Sequence, residues 1–183
     1  MIKLFHSANA APVVGNHPFY GEFVFFTDYA QEVRGNSVFT VEVDAAEIID
    51  VEDVLRHEEN GNMRGLVEEV KALIKSQHGL DIDVATAEGL IDQTIEYDDK
   101  LVDCTLDSDD FDSYAEFREM RDHERSNFAL DCDTGWQIQM MGPRAAKIAG
   151  FRGVYLTDEM GRSIAIDMDG RESEFTLLAG VAA

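Results

Sequence analysis

Strand-like patterns of apolar residues occupy both ends of the chain. Near the start, the short run IKLFH (2–6) is followed by GEFVFFT (21–27), whose almost continuous aromatic and β-branched character is typical of a strand buried on both faces. The segment SVFTVEVD (37–44) alternates between apolar and polar residues, which predicts a strand with one buried face. From Phe151 to Leu178, two further apolar runs are joined by the polar turn Asp-Glu-Met-Gly. We therefore predict strands on either side of the middle of the chain.

The middle, from about Val54 to Asp131, has helical spacing instead. In MRGLVEEVKALIKSQHG the apolar residues recur on one helix face, and Gly79 follows as a C-cap. The residues of this stripe are Leu66, Val67, Val70, Leu73 and Ile74. Further on, GWQIQMMGPRAAKIAG predicts a helix that packs on a sheet, ends at Gly150 and is kinked or interrupted by Pro143. Strands around a helical block predict one α+β domain over residues 1–183, with a helical insertion at about 54–131 in its sheet.

Charge changes the range of possible partners. The chain has 37 acidic and 15 basic residues, which gives a formal net charge of -22. A phosphate backbone would be repelled, so direct nucleic-acid binding is disfavoured, whereas a strongly basic partner would be attracted from a distance. Two alternatives remain open. Carboxylates can stand where phosphates would be and imitate nucleic acid, or the acidity serves only solubility.

The remaining composition narrows the location and the chemistry. The chain has no apolar run long enough to span a membrane and no signal peptide, so we expect a soluble cytoplasmic protein. Cys104 and Cys132 lack metal-ligand spacing and are expected to be free thiols. HEENG at His57 lacks the second histidine of a zinc helix, and DSDDFDS (107–113) lacks the glycine of a calcium loop. We therefore predict no metal site.

Several motifs, taken in order, carry a resemblance to a known family. A strand ending in FHSA, then GEFVFFTD, then a late strand-turn-strand with an acidic residue, resembles the ADP-ribosyltransferase pattern. When six further stretches are included, the chain resembles the phage-borne anti-CRISPR ADP-ribosyltransferases that act on type I-F surveillance complexes. These stretches are VEVDAAEIID, GLVEEV, W followed by IQ, AAK, GFRGV and IDMDG. The match runs from about Phe5 to Leu178 and is weaker from about Ile95 to Asp133.

The resemblance implies a fold, a reaction and a partner. The implied fold is a split β-sheet core with an NAD cleft between its halves. The implied activity is NAD-dependent mono-ADP-ribosyl transfer, with NAD as the substrate, in the cytoplasm of the bacterial host. The implied acceptor lies on the large subunit that reads the protospacer-adjacent motif (PAM), where the modification would block binding of target DNA. The stretch LTDE lacks the Glu-x-Glu or Gln-x-Glu of toxin relatives, so their acceptor preferences do not carry over.

An acidic residue is required by the implied chemistry. Cleavage of the bond between nicotinamide and ribose leaves an oxocarbenium-like centre, which a nearby carboxylate stabilises. Asp158, in the turn after VYLT, matches the acidic position of the family, and Glu159 is the fallback. Without the resemblance, Asp158 would be interpreted as an ordinary turn residue.

The resemblance also implies how NAD would be held. His6 would bond a ribose hydroxyl of the adenosine half, and the backbone of Ser7 would pair with the nicotinamide carboxamide. We expect at least one of Phe25 and Phe26 to face the cleft and pack on NAD, and the other to be core. For the tyrosine that stacks on nicotinamide in the family, Tyr29 is the nearest candidate.

Two alternatives to the transferase stay open. A non-enzymatic, acidic DNA mimic would bind the same basic channel and would tolerate Asp158→Ala. An NAD hydrolase would keep the cleft but use water as the acceptor, and it would therefore consume NAD without labelling a partner.

Overall fold

The computed structural model describes residues 1–15, 20–29, 37–57, 63–95, 112–113, 115–116, 118–120, 132–158 and 161–178. The strands are β1 (Ile2–Ala8), β2 (Phe23–Phe26), β3 (Ser37–Val43), β4 (Ile48–Asp50), β5 (Gly153–Asp158), β6 (Gly161–Asp167) and β7 (Thr176–Leu178). The helices are α1 (Met63–His78), α2 (Val84–Ile91), α3 (Cys132–Gln139) and α4 (Met141–Ile148). The predicted mixed α+β architecture is therefore confirmed.

The strands form two sheets. The first has the order β1-β3-β7 and is antiparallel. The second has the order β2-β6-β5-β4, in which β4 and β5 run parallel. The sheets meet where Phe5 in β1 and Thr27 just after β2 exchange two backbone hydrogen bonds, with N–O distances of 2.8 and 2.9 Å. Strand β1 therefore has β3 on one side and the end of β2 on the other.

Two hydrophobic cores follow from this arrangement. One lies between the second sheet and the helices and includes Val70, Ala145 and Val154. The other, the inter-sheet core, contains residues of both sheets: Leu4, Val24, Phe26, Val41, Val43, Ile48, Ile164, Ile166 and Met168. Because successive strand side chains alternate, Val24 and Phe26 lie in the inter-sheet core while Phe25 packs on the first core. The predicted burial of GEFVFFT on both faces is confirmed.

The helices follow the predicted stripes. The buried residues of α1 are Met63, Leu66, Val67, Val70 and Ile74. Gly79 ends the helix with φ +73°, and its N–H donates to the Lys75 carbonyl at 3.0 Å, so it is the predicted C-cap. The second predicted helix is interrupted at Met140. Pro143 lies in the first turn of α4, where its missing N–H costs no helical hydrogen bond.

Much of the predicted helical insertion beyond residue 95 lies outside the described residues, as do Cys104 and residues 107–111 of the acidic segment. The limits of the insertion and of the single domain therefore stay predictions. Within the described ranges, no helix combines the length and the apolar character that crossing a bilayer requires.

An ion pair between α1 and α4 determines part of the response to acid. Arg144 donates two hydrogen bonds to Glu69, from Nη1 to Oε1 at 2.7 Å and from Nη2 to Oε2 at 2.8 Å. These bonds hold the pKa of Glu69 below its ordinary value of 4.5, although partial burial opposes the shift. A carboxyl with a lowered pKa stabilises the fold above its ordinary pKa. That contribution disappears as the pH falls through the lowered value.

We therefore expect Glu69→Gln to reduce the free energy of unfolding at pH 7 by at most about 1 kcal/mol, because both partners are nearly half exposed. The difference from the wild type should shrink as the pH falls below 4.5. Urea unfolding between pH 7 and about pH 3 measures it. Glu68→Gln, which removes a 3.8 Å contact with Lys71, is the control and should have little effect. An equal Glu69→Gln penalty at both ends of the pH range would contradict the prediction.

Candidate functional site

His6 lies at the junction between the two sheets. The register of β1 places it opposite Phe39 of β3, next to the Phe5–Thr27 bridge. Its Nδ1 is 2.7 Å from the Phe25 carbonyl oxygen. A carbonyl only accepts, so Nδ1 carries the hydrogen, and Nε2 is an acceptor in the neutral form of the ring. The half-buried imidazole can therefore accept a hydrogen bond from a hydroxyl such as that of a ribose.

Phe25 and Phe26 point to opposite faces of β2. Phe26 is only 2% exposed and packs on His6, with ring centroids 5.8 Å apart, and on Phe175 at 6.2 Å. Phe26 therefore has almost no surface left for a ligand and is the core member of the expected pair. Phe25 is half-buried and contacts Tyr20 at 5.1 Å, and Tyr20 contacts Trp136 at 5.6 Å.

The other two predicted cofactor-binding residues, Ser7 and Tyr29, are each two positions in sequence from a residue of the Phe5–Thr27 bridge. Ser7 is half-buried in β1, opposite Val38 of β3. Tyr29 follows β2 and is 54% exposed, and its carbonyl accepts a hydrogen bond from Thr27 Oγ1 at 2.7 Å. The structure thus brings together His6, Ser7 and the end of β2. His6 contacts the ring of Phe26, whereas the ring of Phe25 lies on the opposite face of β2.

Asp158 is the last residue of β5 and pairs with Gly161, the first residue of β6. The predicted strand-turn-strand is therefore confirmed as an antiparallel hairpin. Gly161 has φ +104°, a backbone conformation that favours glycine. The side chain of Asp158 and the whole of Glu159 lie outside the described residues, so the choice between these two carboxylates stays a prediction.

The strand register relates Asp158 to the end of β2, which His6 contacts through the Phe25 carbonyl. Phe26 pairs with Ile164, and Ile164 pairs with Tyr155, so β2 and β5 run in the same direction on either side of β6. Asp158 lies three residues beyond this row, roughly 10 Å along the sheet, and the two strand spacings add roughly 10 Å across it. The end of β5 that carries Asp158 and the end of β2 that carries Thr27 therefore lie at one end of the second sheet.

Gln93, in the turn after α2, contacts this end of the sheet, and nothing in the sequence predicts it. Its side-chain Oε1 accepts a hydrogen bond from the Thr157 backbone N–H at 3.0 Å, and its Nε2 donates to the Thr157 carbonyl at 3.1 Å. Thr157 immediately precedes Asp158. The two residues in contact are 64 positions apart in the chain, so no local pattern could have indicated the pair.

A cavity of about 620 Å³ lies at the opposite end of β5. It is lined by Met1, Lys3, Thr40, Val41, Glu42, Asp44, Glu47, Arg152, Glu174 and Thr176. The Arg152 side chain is 10% exposed and bonds Glu174, while its Nε has no hydrogen-bond partner. Of the predicted site residues whose side chains the structure describes, none lines this cavity. Across the described ranges, no cluster of three or more His, Cys, Asp or Glu residues is placed to hold a metal ion.

Comparisons with known proteins found a distant structural likeness. No protein-family model matches the chain, and no curated protein does. Among solved structures, the chain is similar to one described as the crystal structure of an anti-CRISPR protein, with 12% sequence identity and a TM-score of 0.47. The aligned region covers 96% of this chain and 93% of that one.

Proposed function

We propose that this chain is an NAD-dependent mono-ADP-ribosyltransferase that inactivates a type I-F CRISPR surveillance complex by modifying its large, PAM-reading subunit. The observation that carries the proposal is the contact between His6 Nδ1 and the Phe25 carbonyl at 2.7 Å. It fixes the tautomer that leaves Nε2 as an acceptor, beside the junction of the two sheets. Two sheets meeting at such a histidine support the split-sheet architecture that the family resemblance implies.

The proposed reaction assigns roles to residues of this chain. The bond from the ribose carbon to the nicotinamide nitrogen breaks, and both electrons leave with the nicotinamide. The carboxylate of Asp158 stabilises the positive charge that develops on the sugar. His6 holds a ribose hydroxyl through Nε2 and so orients the adenosine half. The acceptor side chain then forms the new bond to the same carbon and gives up its proton.

The net charge of -22 supports a partner with a basic surface. A subunit that reads DNA carries such a surface, because it must neutralise phosphates. Long-range attraction would raise the rate of encounter between an acidic enzyme and this surface. A transferred ADP-ribose is bulky and doubly negative, so at the PAM-reading site it would exclude DNA by clash and by repulsion.

The test uses labelled NAD, a purified type I-F surveillance complex and the native protein, and it reads label and intact mass on each subunit. We expect one ADP-ribose addition, on the large subunit, together with loss of target DNA binding. If DNA binding is blocked without NAD and no subunit gains mass, the acidic-mimic alternative replaces the transferase. If NAD is consumed while every subunit keeps its mass, the protein is an NAD hydrolase.

The proposed role of His6 gives a kinetic prediction. We expect His6→Ala to raise KM for NAD about fivefold, because one hydrogen bond to a hydroxyl contributes about 1 kcal/mol. The value of kcat should change much less, because this contact is present before and during the reaction. Ser7→Ala is the matched control, since the predicted Ser7 contact uses its backbone, and it should leave KM unchanged. An unchanged KM for NAD in His6→Ala would show that His6 does not bind NAD.

A further inference from the structure

The turn after α2 is held by several hydrogen bonds. The Asp92 N–H donates to the Glu88 carbonyl at 3.0 Å and ends the helix. Thr94 donates to Asp92 Oδ1 through its N–H at 3.0 Å and its Oγ1 at 2.6 Å. The Ile95 N–H donates to the Gly89 carbonyl at 2.9 Å. Gln93 is therefore fixed on both sides in a defined backbone conformation.

That conformation is unusual for glutamine. Gln93 has φ +59° and is the one non-glycine residue with positive φ in the described part of the chain. This region is disfavoured for residues with a Cβ, and it persists only where the surroundings impose it. Glycine would relieve the strain but would lose the side-chain amide. A glutamine here therefore points to a role for the amide itself.

The amide completes the hydrogen bonding of one edge of β5. Strand β4 pairs with β5 only as far as Tyr155, which is opposite Asp50. The N–H and C=O of a strand residue point to the same edge, and the edge alternates along the strand. Because both groups of Thr157 bond Gln93, they point away from β6, and those of Asp158 point towards β6. Gln93 thus takes the place that another residue of β4 would occupy.

We propose that Gln93 is a positioning residue for ADP-ribosyl transfer. Its amide fixes the backbone of Thr157 and so sets the place of the adjoining Asp158, while β6 holds Asp158 from the other side. This role rests on the proposed transferase function and deepens it. A contact that served only to attach α2 to the sheet would matter for stability and not for the rate of the chemical step.

Two substitutions separate these roles. Gln93→Asn keeps an amide and tolerates positive φ, but it is one methylene shorter and cannot reach both Thr157 groups. Gln93→Glu keeps an acceptor for the Thr157 N–H and sets a carboxylate against the Thr157 carbonyl. The matched control is Thr94→Ala, which removes the side-chain bond to Asp92 in the same turn and leaves the Thr157 contact in place.

The readouts are kcat and KM for NAD in the transfer reaction, hydrogen exchange of the Thr157 amide, and the urea midpoint. We expect Gln93→Asn to lower kcat about 10- to 100-fold with KM within about twofold, as a small misplacement of a reacting group does. The Thr157 amide should exchange faster, while the urea midpoint stays near that of the wild type. Gln93→Glu should lower kcat less, and Thr94→Ala should leave kcat unchanged.

The outcomes distinguish this inference from the transferase proposal. If the Thr157 amide exchanges faster in Gln93→Asn and kcat is unchanged, Gln93 only attaches α2 to the sheet and the positioning role is wrong. Fast exchange of the Thr157 amide in the wild type would show that the Gln93–Thr157 hydrogen bonds do not form. If the wild type labels no subunit and consumes no NAD, the transferase proposal is wrong, and the positioning role, which depends on it, is wrong as well. Slow Thr157 exchange would then still report the contact.

Discussion

Asp158→Ala is expected to reduce ADP-ribose transfer about a thousandfold while the protein stays folded. A carboxylate about 4 Å from a unit charge contributes roughly 4 kcal/mol at an effective dielectric near 20. Removing 4 kcal/mol of transition-state stabilisation lowers the rate by about a factor of a thousand. The residue ends a strand at a hairpin, and the substitution leaves its backbone pairing with Gly161 in place. Single-turnover labelling of the surveillance complex measures the effect.

Glu159→Ala is the matched control, because it removes the neighbouring carboxylate of the same turn. We expect it to retain most of the transfer activity. The reverse ranking of the two variants would assign the catalytic carboxylate to Glu159. Full inhibition of DNA binding by Asp158→Ala without NAD would instead favour the acidic mimic.

Phe26→Ala is expected to cost about 3–5 kcal/mol of unfolding free energy, the range for truncating a buried phenylalanine. Phe26 is 2% exposed and packs on His6 and Phe175 in the inter-sheet core. The cavity would therefore open between the sheets, where both contribute side chains. Since small domains have total stabilities of about 5–15 kcal/mol, the variant should unfold at a much lower urea concentration.

Phe25→Ala tests the same strand from its other face. Phe25 is half-buried, so its truncation should cost less, about 1–2 kcal/mol. Because at least one of the two residues is expected to pack on NAD and Phe26 is core, Phe25→Ala should also raise KM for NAD. Equal stability losses in the two variants would contradict the assignment of Phe26 as the core residue.

Local patterns predicted the elements that local physics controls. The stripe of α1 and its end at Gly79 follow from side-chain spacing and from the need for positive φ. The hairpin of β5 and β6 follows from two apolar runs close together in the chain. The order of the sheets does not follow in this way, because β3 pairs with β7 more than 130 residues away. Such pairings depend on the whole fold.

The candidate site shows the same division. Alternation along β2 predicts that Phe25 and Phe26 face opposite ways, but only the assembled sheets decide that Phe26 is the buried one. The tautomer of His6 depends on a carbonyl 19 residues away. Gln93 depends on a contact across 64 residues and on one unusual φ angle. A single sequence contains no local pattern for either contact.

The junction at Phe5 and Thr27 has a mechanical consequence. Seven residue pairs hold β1 to β3, whereas in the described ranges one antiparallel bridge ties β1 to the end of β2. Each hydrogen bond of that bridge contributes about 1 kcal/mol, and apolar contacts in the inter-sheet core have no preferred direction. The two sheets are therefore held together mainly by the inter-sheet core, because the bridge contributes only about 2 kcal/mol of directional bonding. The fit of side chains in that core, rather than a continuous ladder, then holds the angle between the sheets at the junction where His6 lies.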